Sequence, residues 1–278
     1  MSNQQKDYTF EFGKNWAAFL STIDDNRIQL AKKSLLDTLS LDTLKGRSFL
    51  DAGSGSGLFS LSAKQLGATV SSFDYDKDSV NCTRELKKRY FDECTDWNIE
   101  NGSVLDKDYL QKYITHDIVY SWGVLHHTGD MYQAMENIIP LVAPNGMLLI
   151  SIYNDQGGQS KRWKKIKKTY NVLPQKLKLP YAALVMFPRE CRFYLADLLR
   201  GRPFSYFRHV KNYASTSHRG MSYWHDIIDW VGGFPFEVAT PEEIFSFYRE
   251  RGFQLEKLRT VKNGPGCNEF LFRKMSTE

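Results

Sequence analysis

The chain has 278 residues and a formal charge of +5, with 42% hydrophobic and 25% charged residues. This balance excludes a disordered or collagen-like chain, and no run of about 18 apolar residues predicts a transmembrane helix. The polar start, residues 1–7, lacks the apolar core of a signal peptide. Its four cysteines are widely scattered, which argues against a zinc site and favours a reduced, cytoplasmic protein.

Positive charge is concentrated in one segment. Residues 151–220 contain 15 Lys and Arg against 3 Asp and Glu, a net of +12, whereas the rest of the chain has 22 against 29, a net of −7. A basic segment inside an acidic frame predicts that residues 151–220 have a role of their own.

Short apolar runs alternate with helical patterns between residues 45 and 152. The predicted strands are 48–52, 69–73, 97–101, 117–121 and 147–152. The predicted helices between them are 58–66, 78–90, 106–113 and 131–141. This order predicts an α/β fold in which helices cover both faces of a parallel sheet. Such sheets bind ligands at the carboxyl ends of their strands, near the point where the strand order reverses.

The C-terminal part has a different pattern. Thr240 is typical of an N-cap, followed by a proline and, at the third helical position, Glu243. These residues predict a helix over 242–251 that stops at Gly252. Two further strands, 254–260 and 269–272, predict an antiparallel hairpin at the edge of the sheet.

Residues 153–239 interrupt the alternation of strands and helices. Residues 159–170 and 176–200 have helical patterns, and residues 204–236 are rich in aromatic residues, glycine and histidine. We therefore predict that 153–239 is an inserted cap over a site on the sheet. The predicted organisation is an N-terminal helical segment (1–44), a ligand-binding domain (45–152 with 240–278) and this insert.

The strongest motif is a glycine-rich turn after the first predicted strand. Residues 51–57 read Asp-Ala-Gly-Ser-Gly-Ser-Gly and lead into a helix. Glycines let the backbone turn tightly and let a ligand approach it, and the helix N-terminus offers free N–H groups. The third glycine stands at spacing 4, and Leu58 occupies the position of the third dinucleotide glycine, which argues against NAD or FAD.

An acidic residue ends the second predicted strand. Asp74 is placed to accept both hydroxyl groups of a ribose, and Tyr75 beside it is suited to pack on an adenine ring. After the next helix and strand come Ser103 and Val104, and the segment 117–127 ends in Leu-His-His.

Together these segments resemble the class I S-adenosylmethionine-dependent methyltransferases, over residues 45–152 and 240–275. The resemblance implies a Rossmann-like, doubly wound sheet of seven mostly parallel strands, and S-adenosylmethionine as cofactor. It also implies that Asp51 orients the glycine loop or the cofactor's amino group, and that Asp74 binds the ribose. The residues implied to contact the methionine end are Gly53, Ser54, Gly55, Gly57, Ser121 and Trp122.

The resemblance places the adenine between Tyr75, Ser103 and Val104. Many members of the family carry an acidic residue where Ser103 stands, so this chain departs from the pattern there. A hydroxyl or backbone contact would serve instead.

Two adjacent histidines are the candidate catalytic bases. Methyl transfer from a sulfonium is an in-line displacement in which the protein mainly supplies positioning, but an acceptor that is not ionised must lose a proton. His126 and His127 follow the fourth strand, and we favour His126. In the alternative interpretation, either histidine caps the next helix or fills a polar niche. Asp130 is more typical of that helix's N-cap.

A second group of residues is predicted to recognise the methyl acceptor. These candidates are Trp16, Tyr153, His218, Arg219 and His225. Arg219 suits a carboxylate or phosphate, and the dense charged and aromatic loop around it suggests recognition. A purely structural surface loop is the alternative. The histidine spacing fits no helical zinc motif, so we predict no metal.

The basic run 161–168 leaves three kinds of partner open. One is nucleic acid, which is the least favoured because no RNA-binding module accompanies the run. Another is an anionic membrane next to the apolar stretch 179–199. The third is an acidic small molecule attracted by a cap, unless the run is simply a solvated helix face. We favour methyl transfer to oxygen or nitrogen of a small polar or anionic metabolite, such as a sugar or phosphorylated intermediate. The alternatives are a lipid-linked or quinone-like acceptor at a membrane surface, and a non-catalytic cofactor-binding protein. Exposure of the apolar residues in 179–199 would favour the lipid-linked acceptor.

Overall fold

The computed structural model describes residues 20, 23–216 and 223–276. The described residues divide into two compact units. One, the sheet unit, contains residues 20, 23–160 and 237–276. The other, the helical unit, contains residues 161–236 apart from 217–222, and is shorter than the predicted insert 153–239.

The described part of the sheet unit is built around seven strands. They are β1 Ser48–Ala52, β2 Thr69–Asp74, β3 Trp97–Asn101, β4 His116–Trp122, β5 Val142–Tyr153, β6 Phe253–Arg259 and β7 Cys267–Lys274. Their order is β3-β2-β1-β4-β5-β7-β6. The first five strands are parallel, and β7 runs antiparallel to both β5 and β6. This topology confirms the predicted doubly wound α/β fold with its C-terminal hairpin.

Helices connect the strands and build the second unit. They are α1 Asp25–Leu39, α2 Leu58–Gln65, α3 Lys77–Phe91, α4 Lys107–Leu110, α5 Met131–Ile138, α6 Gly158–Val172, α7 Gln175–Leu199, α8 Ser205–Thr216, α9 Tyr223–Gly232 and α10 Pro241–Arg249. Local capping confirms two predicted starts. The Asp130 side chain accepts from the N–H of Gln133 at the start of α5, and Thr240 and Glu243 form a reciprocal capping box on α10.

Several predicted boundaries differ from the observed ones, and two of these differences have a clear local cause. Strand β5 begins at Val142, five residues before the predicted start, because pairing with β4 continues through an irregular Pro-Asn-Gly stretch in which Asn145 has φ 60°. Helix α4 ends at Leu110 rather than at residue 113, because the N–H of Tyr113 turns back to the Leu110 carbonyl at 3.0 Å.

The core of the sheet unit lies between the sheet and its helices. Strands β1, β4 and β5 contribute side chains that are almost fully buried, among them Leu50, Val119 and Ile150. Helix α1 packs against α2. Its buried residues have the spacing of one helical face and are Ile28, Ala31, Leu35 and Leu39. This packing fixes the helix that follows the glycine loop.

The helical unit has a smaller core of its own. Its buried members are Tyr170, Ala182, Met186, Tyr223, Ile227 and Val231. Tyr223, Ile227 and Val231 stand four residues apart and form one face of α9. The predicted loop around Arg219 extended to residue 226, and its last part, residues 223–226, was wrong, because this apolar periodicity makes residues 223–232 helical. None of the described helices combines the length and hydrophobicity needed to cross a membrane.

Candidate active site

The glycine loop and the segment 123–130 leave the carboxyl ends of β1 and β4, the two strands between which the sheet order reverses. The loop is tied to the end of β2, because the N–H groups of Gly53 and Ser54 both donate to the Phe73 carbonyl, at 2.8 and 3.1 Å. The next strand is tied in by the N–H of Gly102, which donates to the Asp74 carbonyl at 3.0 Å. One edge of the sheet thus gathers the predicted cofactor-binding segments.

Two of the loop glycines are required by contacts within the protein. Gly53 has φ +93°, and a Cβ placed on it would lie 2.5 Å from both methyl carbons of Val124. Gly57 has φ +80°, and its Cβ would lie 2.8 Å from the Cα of Thr83. Side chains do not fit at either position, so the loop passes directly against its neighbours.

Asp74 ends β2 with both carboxylate oxygens engaged. One accepts the N–H of Gly55 and the other the N–H of Asp76, each at 2.9 Å. Desolvation by burial outweighs these hydrogen bonds and raises the pKa of Asp74 to about 6. The neighbouring Tyr75 is 65% exposed. A carboxylate beside an exposed aromatic ring offers two complementary contacts to a nucleoside.

Asp51 is buried at the end of β1 and faces the helix that follows the glycine loop. Its carboxylate accepts the Ser60 hydroxyl at 2.5 Å, Ser60 contacts the Ser72 hydroxyl at 2.8 Å, and Ser72 accepts the Trp97 indole N–H at 3.0 Å. Desolvation by burial raises the pKa of Asp51 to about 7, and the nearby Asp74 carboxylate adds to this rise. In this arrangement Asp51 holds α2 against the sheet.

The remaining predicted cofactor contacts have partners within the protein. The Ser121 hydroxyl is buried and donates to the Ala52 carbonyl at 2.8 Å. The Trp122 indole N–H donates to Glu269 at 3.2 Å. The Ser103 hydroxyl accepts the N–H of Leu105 at 3.1 Å. Val104 is buried in the main core. Their side chains thus brace the strand ends.

An aromatic cluster forms where β4 and β5 end. Residues Leu125–His127 make a 3₁₀ turn. The ring of His126 lies 4.1 Å from that of Tyr153 and 4.5 Å from that of His127, measured between centroids. His126 is buried and His127 is half-buried. The ring of His127 is therefore the more accessible of the two predicted bases.

Sequence reasoning missed Glu237, which holds this turn in place. Its carboxylate accepts the N–H groups of Gly129 and Met131, at 3.0 and 3.2 Å, and its own N–H donates to the His126 carbonyl at 3.0 Å. Two residues later, the N–H of Ala239 donates to the Tyr153 carbonyl at 3.0 Å. A lone glutamate after Pro-Phe carries no motif, so only the fold reveals this role.

Comparison with known proteins decides the family. A family model described as a methyltransferase domain matches residues 24–189, which is more than half of the chain. The chain belongs to this methyltransferase family. The seven-stranded sheet agrees with this family, for which the sequence resemblance implied S-adenosylmethionine as cofactor.

Individual relatives of the methyltransferase are distant. The ubiquinone biosynthesis O-methyltransferase of Coxiella burnetii is 28% identical over 112 residues, and the match covers 40% of this chain and 46% of the relative. The chain thus spans about half the length of the curated relatives it matches.

Two solved structures share the fold of the methyltransferase. A putative S-adenosylmethionine-dependent methyltransferase from Listeria monocytogenes has a TM-score of 0.53 at 12% identity, covering 88% of this chain and 99% of that one. An O-methyltransferase family protein from Burkholderia thailandensis has a TM-score of 0.51 at 15% identity, covering 91% of this chain and 59% of that one.

The structure describes only part of the predicted acceptor contacts. Trp16, His218 and Arg219 fall outside the described residues, and His225 lies in α9 of the helical unit with its side chain outside the description. Tyr153 alone among them is described at the strand ends. Within the described ranges, His, Cys, Asp and Glu form no grouping of three or more that could hold a metal ion.

Proposed function

We propose that the methyltransferase binds S-adenosylmethionine at the carboxyl ends of β1 and β2. The glycine loop, Gly53–Gly57, would hold the methionine end, and Asp74 would accept the ribose hydroxyl groups. Tyr75, with its exposed ring beside Asp74, would pack on the adenine. The observation that carries this proposal is the Asp74 carboxylate, which is bonded to the loop through the N–H of Gly55 and stands where a ribose would reach it.

We propose that His127 takes the proton of the acceptor. The bound cofactor supplies an activated methyl group, so the protein has to position the acceptor and remove its proton. His127 is half-buried, whereas His126 is 1% exposed and packs against both His127 and Tyr153. His126 would therefore act as a positioning residue. This assignment reverses the preference drawn from the sequence.

We propose two classes of methyl acceptor. The first is oxygen or nitrogen of a small polar or anionic metabolite, which the net charge of +12 over residues 151–220 supports. Trp16, Tyr153, His218, Arg219 and His225 would be its contacts.

The second class is a lipid-linked or quinone-like acceptor. Eight large apolar residues of α7 are more than two-fifths exposed, and this exposure is the feature that favours a lipid-linked acceptor over a small metabolite. The partial match to an enzyme named for ubiquinone biosynthesis points the same way. We therefore favour the second class.

The cofactor proposal is tested by titration calorimetry with S-adenosylmethionine and S-adenosylhomocysteine, with NAD as the control ligand. We expect binding of the first two, loss of binding in Asp74→Ala, and no effect in Asp92→Ala, an exposed aspartate at the end of α3. If Asp74→Ala binds both compounds like the wild type, the proposed ribose contact is wrong. The choice between the two acceptor classes is tested separately, by assaying purified protein for methyl transfer to quinol-like and to sugar-linked acceptors.

A further inference from the structure

The long helix α7 is apolar on two opposite faces. At about 100° per residue, Ala182 and Met186 lie on the face that is buried in the core of the helical unit. The opposite face, within a sector of roughly 80°, is made of large apolar side chains. These are Leu177, Leu184, Phe187, Leu195 and Leu198, which are 46–72% exposed. An exposed helix face is ordinarily polar, so this face is expected to have a binding partner.

Helix α8 extends this apolar face and adds positive charge to it. Phe204, Phe207, Arg208 and Lys211 stand at the spacing i, i+3, i+4 and i+7, so they share one face. All four are exposed, Phe204 by 71% and Phe207 by 59%. The two helices meet where the Phe207 and Tyr194 rings lie 5.8 Å apart. We call the two exposed faces together the docking face.

The charge of the helical unit restricts what can cover the docking face. Residues 161–216 carry 14 Lys and Arg against 2 Asp and Glu, a net of +12. Arg162, Lys165, Arg192 and Arg200 are exposed. A second copy of the chain would bring an equal positive charge against this surface, which opposes self-association. A partner with negative charge at its surface and an apolar interior would match both the positive charge and the exposed apolar side chains of the docking face.

We propose that the docking face binds the surface of an anionic phospholipid membrane. Leu and Phe side chains would insert at the level of the acyl chains while Lys and Arg contact the lipid headgroups, as in helices that lie in the membrane interface. Docking of this kind would bring the enzyme to a lipid-linked acceptor, and in that respect the inference rests on the proposed function. No described helix needs to span the bilayer for this mode of binding.

Co-sedimentation of the full chain with vesicles tests the proposal. One set of vesicles contains phosphatidylglycerol and phosphatidylcholine in equal parts, and the other contains phosphatidylcholine alone. We expect the wild type to sediment with the first set at low salt and to be released by high salt. The double variant Phe187→Ser with Leu195→Ser should bind about tenfold less, since it removes two apolar side chains from the interface. Arg208→Glu with Lys211→Glu should lose binding to a similar degree, about tenfold.

Two matched controls separate the docking face from general surface effects. Ile114→Ser removes an apolar side chain that is 79% exposed in the sheet unit, and Lys33→Glu reverses an exposed charge on α1. Both should sediment like the wild type. Circular dichroism and S-adenosylmethionine binding verify that each variant is folded.

Several results would overturn the proposal. One is wild-type protein that stays in the supernatant with anionic vesicles at low salt, and another is equal sedimentation of the docking-face and control variants. Dimers that Phe187→Ser dissociates, with vesicle binding unchanged, would instead identify the face as an interface between two copies. Cofactor binding is measured on the same samples, so the two failures can be told apart. Loss of vesicle binding with intact cofactor binding would contradict only the docking proposal, and loss of cofactor binding with intact vesicle binding would contradict only the proposed function.

Discussion

The N–H of Glu237 donates a hydrogen bond to the carbonyl oxygen of His126 at 3.0 Å. The Glu237 carboxylate then accepts the N–H groups of Gly129 and Met131 on the far side of the same turn. One residue therefore holds both ends of the segment that carries the two histidines. Glu237 is also the first residue of the sheet unit after the helical unit in sequence.

We expect Glu237→Ala to lower kcat about tenfold while the Kd for S-adenosylmethionine changes less than about twofold. The turn would lose its two charged hydrogen bonds, at a cost of about 2 kcal/mol in stability, whereas Asp74 and the glycine loop would be untouched. Single-turnover kinetics, calorimetry and thermal denaturation measure the three quantities.

The conservative variant Glu237→Gln distinguishes positioning from general destabilisation. Its amide offers one acceptor oxygen in place of two, so its kcat should fall between those of the wild type and Glu237→Ala. Glu93→Ala, at an exposed glutamate after α3, is the matched control and should behave as wild type. Unchanged kcat in Glu237→Ala would mean that the turn keeps its place without this residue.

The elements around the glycine loop were predictable because local patterns specify them. The Asp51–Gly57 motif, the N-cap at Asp130 and the capping box at Thr240 each depend on residues within a few positions of one another. The role of Glu237 and the series of buried hydrogen bonds from Asp51 to Trp97 were not predictable, because they join side chains that are far apart in sequence. Their geometry is set by packing of the sheet, which no local pattern encodes.

The two histidines should respond differently to substitution. His127→Ala should lower kcat about 100-fold and flatten the dependence of kcat on pH at saturating S-adenosylmethionine, since it would remove the base. His126→Ala should lower the melting temperature as well, because a ring that is 1% exposed and packed on Tyr153 would leave a cavity.

Rate–pH profiles and melting curves of both variants separate these outcomes. His127→Gln, which keeps a polar side chain but cannot act as a base, should match His127→Ala in rate. If His127→Ala keeps the wild-type rate and pH profile with a verified acceptor, the acceptor needs no base from this residue.

Comparing Gly53 with Gly46 separates the cost of a steric clash in the glycine loop from the cost of backbone strain. Both have positive φ, +93° and +76°, but a Cβ at Gly46 would meet nothing within 4 Å, whereas one at Gly53 would clash with Val124. Gly46→Ala should therefore cost about 1 kcal/mol through backbone strain alone. Gly53→Ala should cost more and weaken S-adenosylmethionine binding. Adding Val124→Ala to Gly53→Ala should recover part of the stability, as thermal denaturation would show; if it recovers none, the clash with Val124 is not the cause.

The raised pKa values of Asp51 and Asp74 predict how stability and cofactor binding depend on pH. In the unfolded chain both carboxyls ionise near pH 3.8, but in the folded, ligand-free protein they ionise near 7 and 6. Between these values the folded state holds more protons than the unfolded chain, so the free energy of unfolding falls as pH rises from about 4 to 7. Cofactor binding should have the opposite trend, because ribose hydroxyls donate to an ionised Asp74. The affinity for S-adenosylmethionine should therefore rise through pH 6.

Asp51→Asn isolates the stability part of this prediction, because the amide remains neutral at every pH. Its free energy of unfolding, measured with denaturant at pH 4 to 8, should fall less steeply with pH than that of the wild type and should exceed it at pH 8. Asp117 is the control, because its pKa shifts in the opposite direction: the hydrogen bond from the Ser48 N–H lowers it. Asp117→Asn should lose stability mainly above pH 4. If Asp51→Asn instead follows the wild-type curve over the whole range, the buried carboxyl does not titrate where its surroundings place it, and the loss of stability towards neutral pH must come from Asp74 alone.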